Sequence, residues 1–120
     1  MFKAAVDLAV LRSYEAIQLD GEPDLIVELI DLYLEDARRR LAVMKLSLAK
    51  RNWLSVKREA HSLRGSSGNL GALQMALICD EIERLESRDP FAIEALLGCL
   101  EQELEQVGHI FLAERQRRTQ

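Results

Sequence analysis

The sequence has few of the residues that end helices or build sheets. Two prolines occur in 120 residues, Pro23 and Pro90, and both stand where a helix should begin. No stretch alternates cleanly between apolar and polar residues, and no Asn-Gly or Asp-Gly pair sits between two such stretches. Aromatics make up only 5%, while Leu, Ala, Glu and Arg, all strong helix formers, are plentiful. These shortages argue against a sandwich or barrel and favour an all-α fold.

Other absences narrow the function. No uninterrupted apolar run approaches the ~20 residues needed to cross a bilayer, which argues against a membrane partner. The start, Met1-Phe2-Lys3-Ala4-Ala5-Val6-Asp7, reaches an acid before any long apolar stretch and does not read as a secretory signal. The net charge of −4 argues against a nucleic-acid partner, since sequence-independent binding needs a broad basic surface. Cys79 and Cys99 sit among apolar residues at helical spacing and read as buried, reduced thiols. Together these features point to the cytoplasm. The two His and two Cys lack zinc-ligand spacing, so no metal site is expected.

What is present is helical periodicity over a chain long enough for one domain, residues 1–120, with a bundle core at about 23–113. A first helix is predicted from about Asp7, as N-cap, to Gln18. Leu8, Leu11 and Glu15 lie on one of its faces. Asp20-Gly21-Glu22-Pro23 is a turn signal, and Pro23 suits the first position of a second helix running to about Ala49. Its stripe is Leu25, Ile26, Leu29, Ile30, Tyr33, Ala37, Leu41, Met44 and Leu48. Arg38, Arg39 and Arg40 read as a solvated face. Asn52 caps a third helix over Trp53–Asn69, and Gly71 stops it. A fourth runs from about Ala72 to Glu86, with Leu73, Ala76, Cys79, Ile82 and Leu85, or their neighbours, inward. Asp89-Pro90 restarts the chain into a last helix carrying Ile93, Leu96, Leu97, Leu100, Leu104, Val107 and Phe111. It is predicted to fray over Arg115–Gln120. Four amphipathic helices with short links pack best as an up-and-down four-helix bundle, with the short additional N-terminal helix over one end.

The third helix holds an oddity. Gly65 and Gly68 lie inside it, and each interior Gly costs ~1 kcal/mol relative to Ala. Stepping about 100° per residue from His61 puts Leu54, Lys57, Arg58, Arg64, Gly65 and Gly68 within about 60° of it. Val56, Ala60, Leu63, Ser67 and Leu70 fall on the other side. His61 therefore points away from the core, among bases and glycines. Imidazole is a good nucleophile near neutral pH. Its nitrogen can attack phosphorus and hold the group as a labile phosphoramidate. Such transfer needs mainly in-line positioning and charge neutralisation. Arg64 at i+3 and Lys57 at i−4 can offset phosphoryl charge. Gly65 at i+4 leaves room for another protein's backbone. Ser66 and Ser67 can hydrogen-bond locally or to a neighbouring helix. Gly65-Ser66-Ser67-Gly68 is no P-loop, since the Lys-Ser or Lys-Thr pair is absent. His109 has no comparable setting, and Trp53 reads as a packing residue.

The run His61-Ser62-Leu63-Arg64-Gly65-Ser66-Ser67-Gly68-Asn69-Leu70-Gly71-Ala72 resembles the signature of the histidine-containing phosphotransfer (HPt) family. That pattern is His, two residues, Lys or Arg, Gly, small residues, then an apolar residue, Gly and Ala. The resemblance implies a four-helix bundle, with His61 as phosphoacceptor, Arg64 stabilising the phosphoryl group and Gly65 permitting docking. Gly68, Lys57, Arg58 and Leu54 complete the expected docking face. The family more often has Lys where this chain has Arg64; Arg keeps the charge and adds a planar donor fork. The implied partners are receiver domains of response regulators or hybrid histidine kinases. The implied Mg²⁺ belongs to the receiver, so no cofactor is expected on this chain, and the family is mostly monomeric. The chain then reads as a phosphocarrier without its own ATP site, not an enzyme. A rival reading is a helical module that docks and sequesters a receiver without transfer. Another is the phosphotransfer domain of a longer histidine kinase.

Overall fold

A computed structural model describes residues 5–86 and 89–120. Met1, Phe2, Lys3 and Ala4, on which much of the reading of the chain's start rests, lie outside them. The regular elements among the described residues are all helical: α1 (Leu8–Arg12), a 3-10 turn (Ser13–Ile17), α2 (Leu25–Ala49), α3 (Trp53–Asn69), α4 (Leu73–Arg84) and α5 (Pro90–Thr119). In the bundle α2 packs on α3, α3 on α4, α4 on α5 and α5 back on α2. Among the described residues no helix is long and apolar enough to cross a membrane.

Caps set most helix starts. Asp7 accepts from Ala9 N at 3.0 Å, Asn52 from Ser55 N at 3.1 Å and Asp89 from Phe91 N at 2.9 Å. Each satisfies a backbone donor that the first helical turn leaves open. Pro90 is the first residue of α5, as expected. Pro23 is not the first residue of α2. Asp24 takes the cap instead, accepting from Ile26 N and Val27 N, so the helix begins at Leu25. The first helix is also shorter than its pattern suggests. It tightens into the 3-10 turn after Arg12, and Ile17 is exposed.

The core is one cluster. Ile26, Ile30, Met44, Val56, Leu63, Met75, Ile82, Leu100, Val107 and Phe111 are almost wholly buried. Leu11 of α1 is as well, so the core reaches outside 23–113. Leu34 and Ser47 of α2 join the buried set, although the stripe did not include them. Ser47 Oγ meets Ser55 Oγ at 2.7 Å and ties the end of α2 to the start of α3. Two expectations for α4 change. It spans Leu73–Arg84, and its inward residues are Met75, Cys79 and Ile82, while Leu73 is exposed. Cys79 is buried but Cys99 is exposed. Burial pushes the Cys79 thiol up to about 12, which leaves it a packing residue with no thiolate to react.

The last turns of α5 do not fray. Arg115 pairs with Asp31 of α2 at 2.8 Å, and Arg118 reaches Glu15 at 2.8 Å and Asp24 at 2.9 Å. Glu114 is buried at the centre of this end. It accepts from Arg117 one turn on and from Arg12 of α1 at 2.7 Å. Arg12 thereby fastens the N-terminal helix to α5. Arg40 is likewise not simply solvated. It bridges Asp36 at 2.9 Å and Glu59 of α3 at 2.7 Å.

Hydrogen bonds from Arg117 and Arg12 hold the Glu114 carboxyl down to about 2. A carboxyl lowered on folding stabilises the fold fully above the ordinary glutamate range. That contribution fades as pH falls through this range toward about 2. Glu114→Gln should cost about 1–3 kcal/mol at neutral pH, the scale of losing charged hydrogen bonds in a buried site. Urea unfolding of both proteins over a pH series should show this gap closing on acidification. A gap that persists at the acid end would refute the assignment.

Candidate functional site

α3 is oriented by what it buries. Val56, Ala60, Leu63 and Ser67 lie against the core on one face. Ser67 Oγ and Tyr33 Oη of α2 are 2.6 Å apart in the interior. Tyr33 in turn meets Phe111 of α5 edge-on, with ring centroids 5.6 Å apart. Ser66 Oγ donates to Leu63 O at 3.2 Å. These contacts leave the opposite face of α3 outward, and the His61 side chain is 65% exposed.

His61, Arg64, Gly65 and Gly68 line an open groove of about 1360 Å³. Leu73, Ala76 and Leu77 of α4 form its apolar side, and Val6, Asp7 and Leu8 contribute from the N-terminal segment. A Cβ built on Gly65 or Gly68 would meet nothing within 4 Å. Packing among the described residues therefore does not require glycine at either position. The bare backbone borders open space beside the histidine.

α4 supplies the groups that the sequence did not reveal. His61 Nδ1 lies 2.8 Å from Glu83 Oε2. Arg64 Nε lies 2.7 Å from Glu83 Oε1, and Arg64 Nη1 is 3.7 Å from Asp80. Neither Arg64 Nε nor Glu83 Oε1 has a directional hydrogen bond, so the charges themselves join them. Arg64 Nη2 is 3.2 Å from His61 Nδ1. Arg84 closes the row on Asp80 at 3.3 Å. The setting is thus charge-balanced, where the sequence suggested bases alone. Among the described residues, no hydrogen bond engages His61 Nε2.

The rest of the expected face divides. Leu54 and Lys57 line a separate cleft of about 230 Å³ with Trp53 and Ile82. Arg58 is exposed and makes no ion pair or side-chain hydrogen bond among the described residues. Angle around the helix placed these residues near His61, but they lie one to two turns back, at about 5.4 Å per turn. His109 is exposed on α5, away from the groove.

Gly71 has a role beyond ending α3. Its φ is +82°, and a Cβ there would come within 2.4 Å of Asp7 O. Asp7 N donates to Gly71 O at 2.8 Å. The glycine thus seats the N-terminal segment, which forms one wall of the groove.

Comparison with known proteins agrees with this architecture. The family model for the Hpt domain matches residues 28–109. Histidine-containing phosphotransfer protein 5 of Arabidopsis thaliana is 30% identical over 89 residues, covering 72% of this chain and 55% of that protein. The chain thus spans about half the length of the Arabidopsis relatives it matches. The crystal structure of histidine-containing phosphotransfer protein B from Pseudomonas aeruginosa superposes with a TM-score of 0.82 at 30% identity, covering 94% of this chain and 96% of that one. A maize phosphotransfer protein gives 0.81 at 19% identity, over 97% and 90% of the two chains, and supports the fold alone.

Gly71→Ala should strain the backbone and press on Asp7. The expected cost exceeds about 1 kcal/mol, because alanine resists positive φ. Amide exchange at Leu8–Leu11 should rise most, since that segment loses its seat. Uniform exchange changes over the bundle, with Leu8–Leu11 unaffected, would contradict this role.

Proposed function

Since the match over residues 28–109 makes this chain a member of the histidine-containing phosphotransfer family, we propose that it carries a phosphoryl group on His61 between receiver domains in a two-component phosphorelay. The observation that carries this reading is an exposed imidazole, one nitrogen unengaged, beside a groove whose backbone is bare at Gly65 and Gly68. A nucleophile there is open to a second protein, and nothing among the described residues fills the approach.

In the proposed step a receiver's aspartyl phosphate lies in line with a His61 ring nitrogen. The nitrogen lone pair forms the N–P bond while the P–O bond to the aspartate breaks. Its electron pair leaves on the carboxylate oxygen. Arg64 offsets the phosphoryl charge after turning from Glu83 and Asp80. The reverse sequence passes the group to a second receiver. Mg²⁺ is supplied by the receiver. The partners are receiver domains of response regulators or hybrid kinases, and this chain is reactant and scaffold, not a kinase. We place it in the cytoplasm as a monomer, where its free thiols Cys79 and Cys99 stay reduced.

The test is incubation with a phosphorylated receiver and Mg²⁺. Wild type should take up an acid-labile, base-stable label. His61→Ala should take up none, and a label persisting on it would overturn the assignment. His61→Gln should still bind the receiver, which separates docking from transfer. Arg64→Ala should slow uptake about tenfold, the scale of one charge-assisted hydrogen bond. Gly65→Leu should keep the helical circular dichroism yet block transfer. Unchanged transfer in that variant would refute the close-approach argument.

A further inference from the structure

We propose that Asp80 and Arg84 of α4 are positioning residues for Arg64: Asp80 holds the arginine on the α4 carboxylates, and Arg84 becomes the remaining partner of Asp80 when Arg64 turns to the phosphoryl group. This role rests on one part of the carrier reading, that His61 takes a phosphoryl group; which partner donates the group does not enter.

Every nitrogen of the Arg64 guanidinium faces this cluster. Nε lies 2.7 Å from Glu83 Oε1, Nη2 lies 3.2 Å from His61 Nδ1 and Nη1 lies 3.7 Å from Asp80 Oδ1. The guanidinium is planar and rigid, so the three contacts hold it as one unit. A phosphoryl group on His61 adds anionic oxygens that compete for the same donors. Arg64 therefore serves that group only by giving up a carboxylate.

The two carboxylates differ in what they keep when the arginine turns. Glu83 keeps the His61 ring, 2.8 Å away. Asp80 has polar contacts with two side chains among the described residues, Arg64 and Arg84. Its contact with Arg64 is longer than a hydrogen bond and acts through charge alone. Arg84 Nε lies 3.3 Å from Asp80 Oδ2, one turn further along α4, and its side chain is 80% exposed. Arg84 is thus free to follow Asp80 without disturbing the core. Leaving a carboxylate that still has a cation costs less than stranding one in the groove. Removing the Asp80 charge should therefore loosen Arg64. Removing Arg84 should tighten it, because Asp80 then has Arg64 alone.

Asp80 and Arg84 both line the groove, where a docked receiver would touch them. The test therefore uses phosphoramidate, a small donor that needs no docking surface, with His109→Gln removing the other imidazole. A His61 ring nitrogen forms the new N–P bond as the P–N bond of the donor breaks, and ammonia leaves with that electron pair. Phosphohistidine is read by mass spectrometry over time. Asp80→Asn should raise the rate about threefold, within the range of an exposed ion pair. Arg84→Ala should lower it by a similar factor, and opposite signs exclude a shared loss of folding. In an Arg64→Ala background, slower at the outset, both substitutions should lose their effect. An unchanged rate in Asp80→Asn would overturn the proposal, as would a wild type that takes nothing from phosphoramidate. A gain that persists without Arg64 would overturn it too, making Asp80 a bare charge that repels the donor. If these rates shift as expected but receivers transfer nothing to wild type, the carrier reading fails while the role of Asp80 stands. If receivers transfer normally and the variants match wild type, the role fails while the carrier reading stands.

Discussion

The hydroxyls of Tyr33 and Ser67 meet 2.6 Å apart between α2 and α3, inside the bundle. A buried hydroxyl left without a partner costs about 1–3 kcal/mol, so this contact penalises any other roll of α3 about its axis. Val56, Ala60 and Leu63 act in the same direction, since rotating the helix would expose all three. His61 faces outward because these residues face inward. The orientation of the reactive side chain is thus a property of the core, transmitted through one rigid helix.

α4 packed beside α3 then supplies the other half of the site. Its buried residues Met75, Cys79 and Ile82 set its own roll. That roll turns Leu73 and Leu77 toward the groove and brings Asp80 and Glu83 up to Arg64 and His61. An apolar wall and a charged end therefore come from one helix. The N-terminal segment adds a further wall, held by Gly71 at one point and by Arg12 on Glu114 at another. The groove is assembled from three parts of the chain that are distant in sequence.

Much of the scaffold could be read directly. Asn52, Asp7 and the Asp89-Pro90 pair mark helix starts because capping is local chemistry, settled within four residues. The stripe of α2 and the outward position of His61 follow from the helical period alone. Pro23 suits a first helical position, but Asp24 one step later is the cap that sets the start of α2 at Leu25. Arg115 and Arg118 resemble a frayed tail because their carboxylate partners Asp31, Glu15 and Asp24 lie far back in the chain. Lys57 and Arg58 share an angle with His61 but lie on its N-terminal side along α3, whereas Arg64, Gly65 and Gly68, which line the groove, lie on its C-terminal side.

The site divides in the same way. His61, Arg64, Gly65 and Gly68 lie on a single helix, so spacing in one dimension was enough to bring them together. Gly65 and Gly68 even announced an empty surface, because an interior glycine with no structural use is a cost without local return. Glu83 lies 22 residues beyond His61, and no helical period relates them. Only the packing of α4 on α3 places its carboxylate on Nδ1. The sequence alone thus determined which side chain is presented and on what bare surface. The tertiary structure decided which nitrogen is held and which is left open, because that depends on a charge brought in from a neighbouring helix.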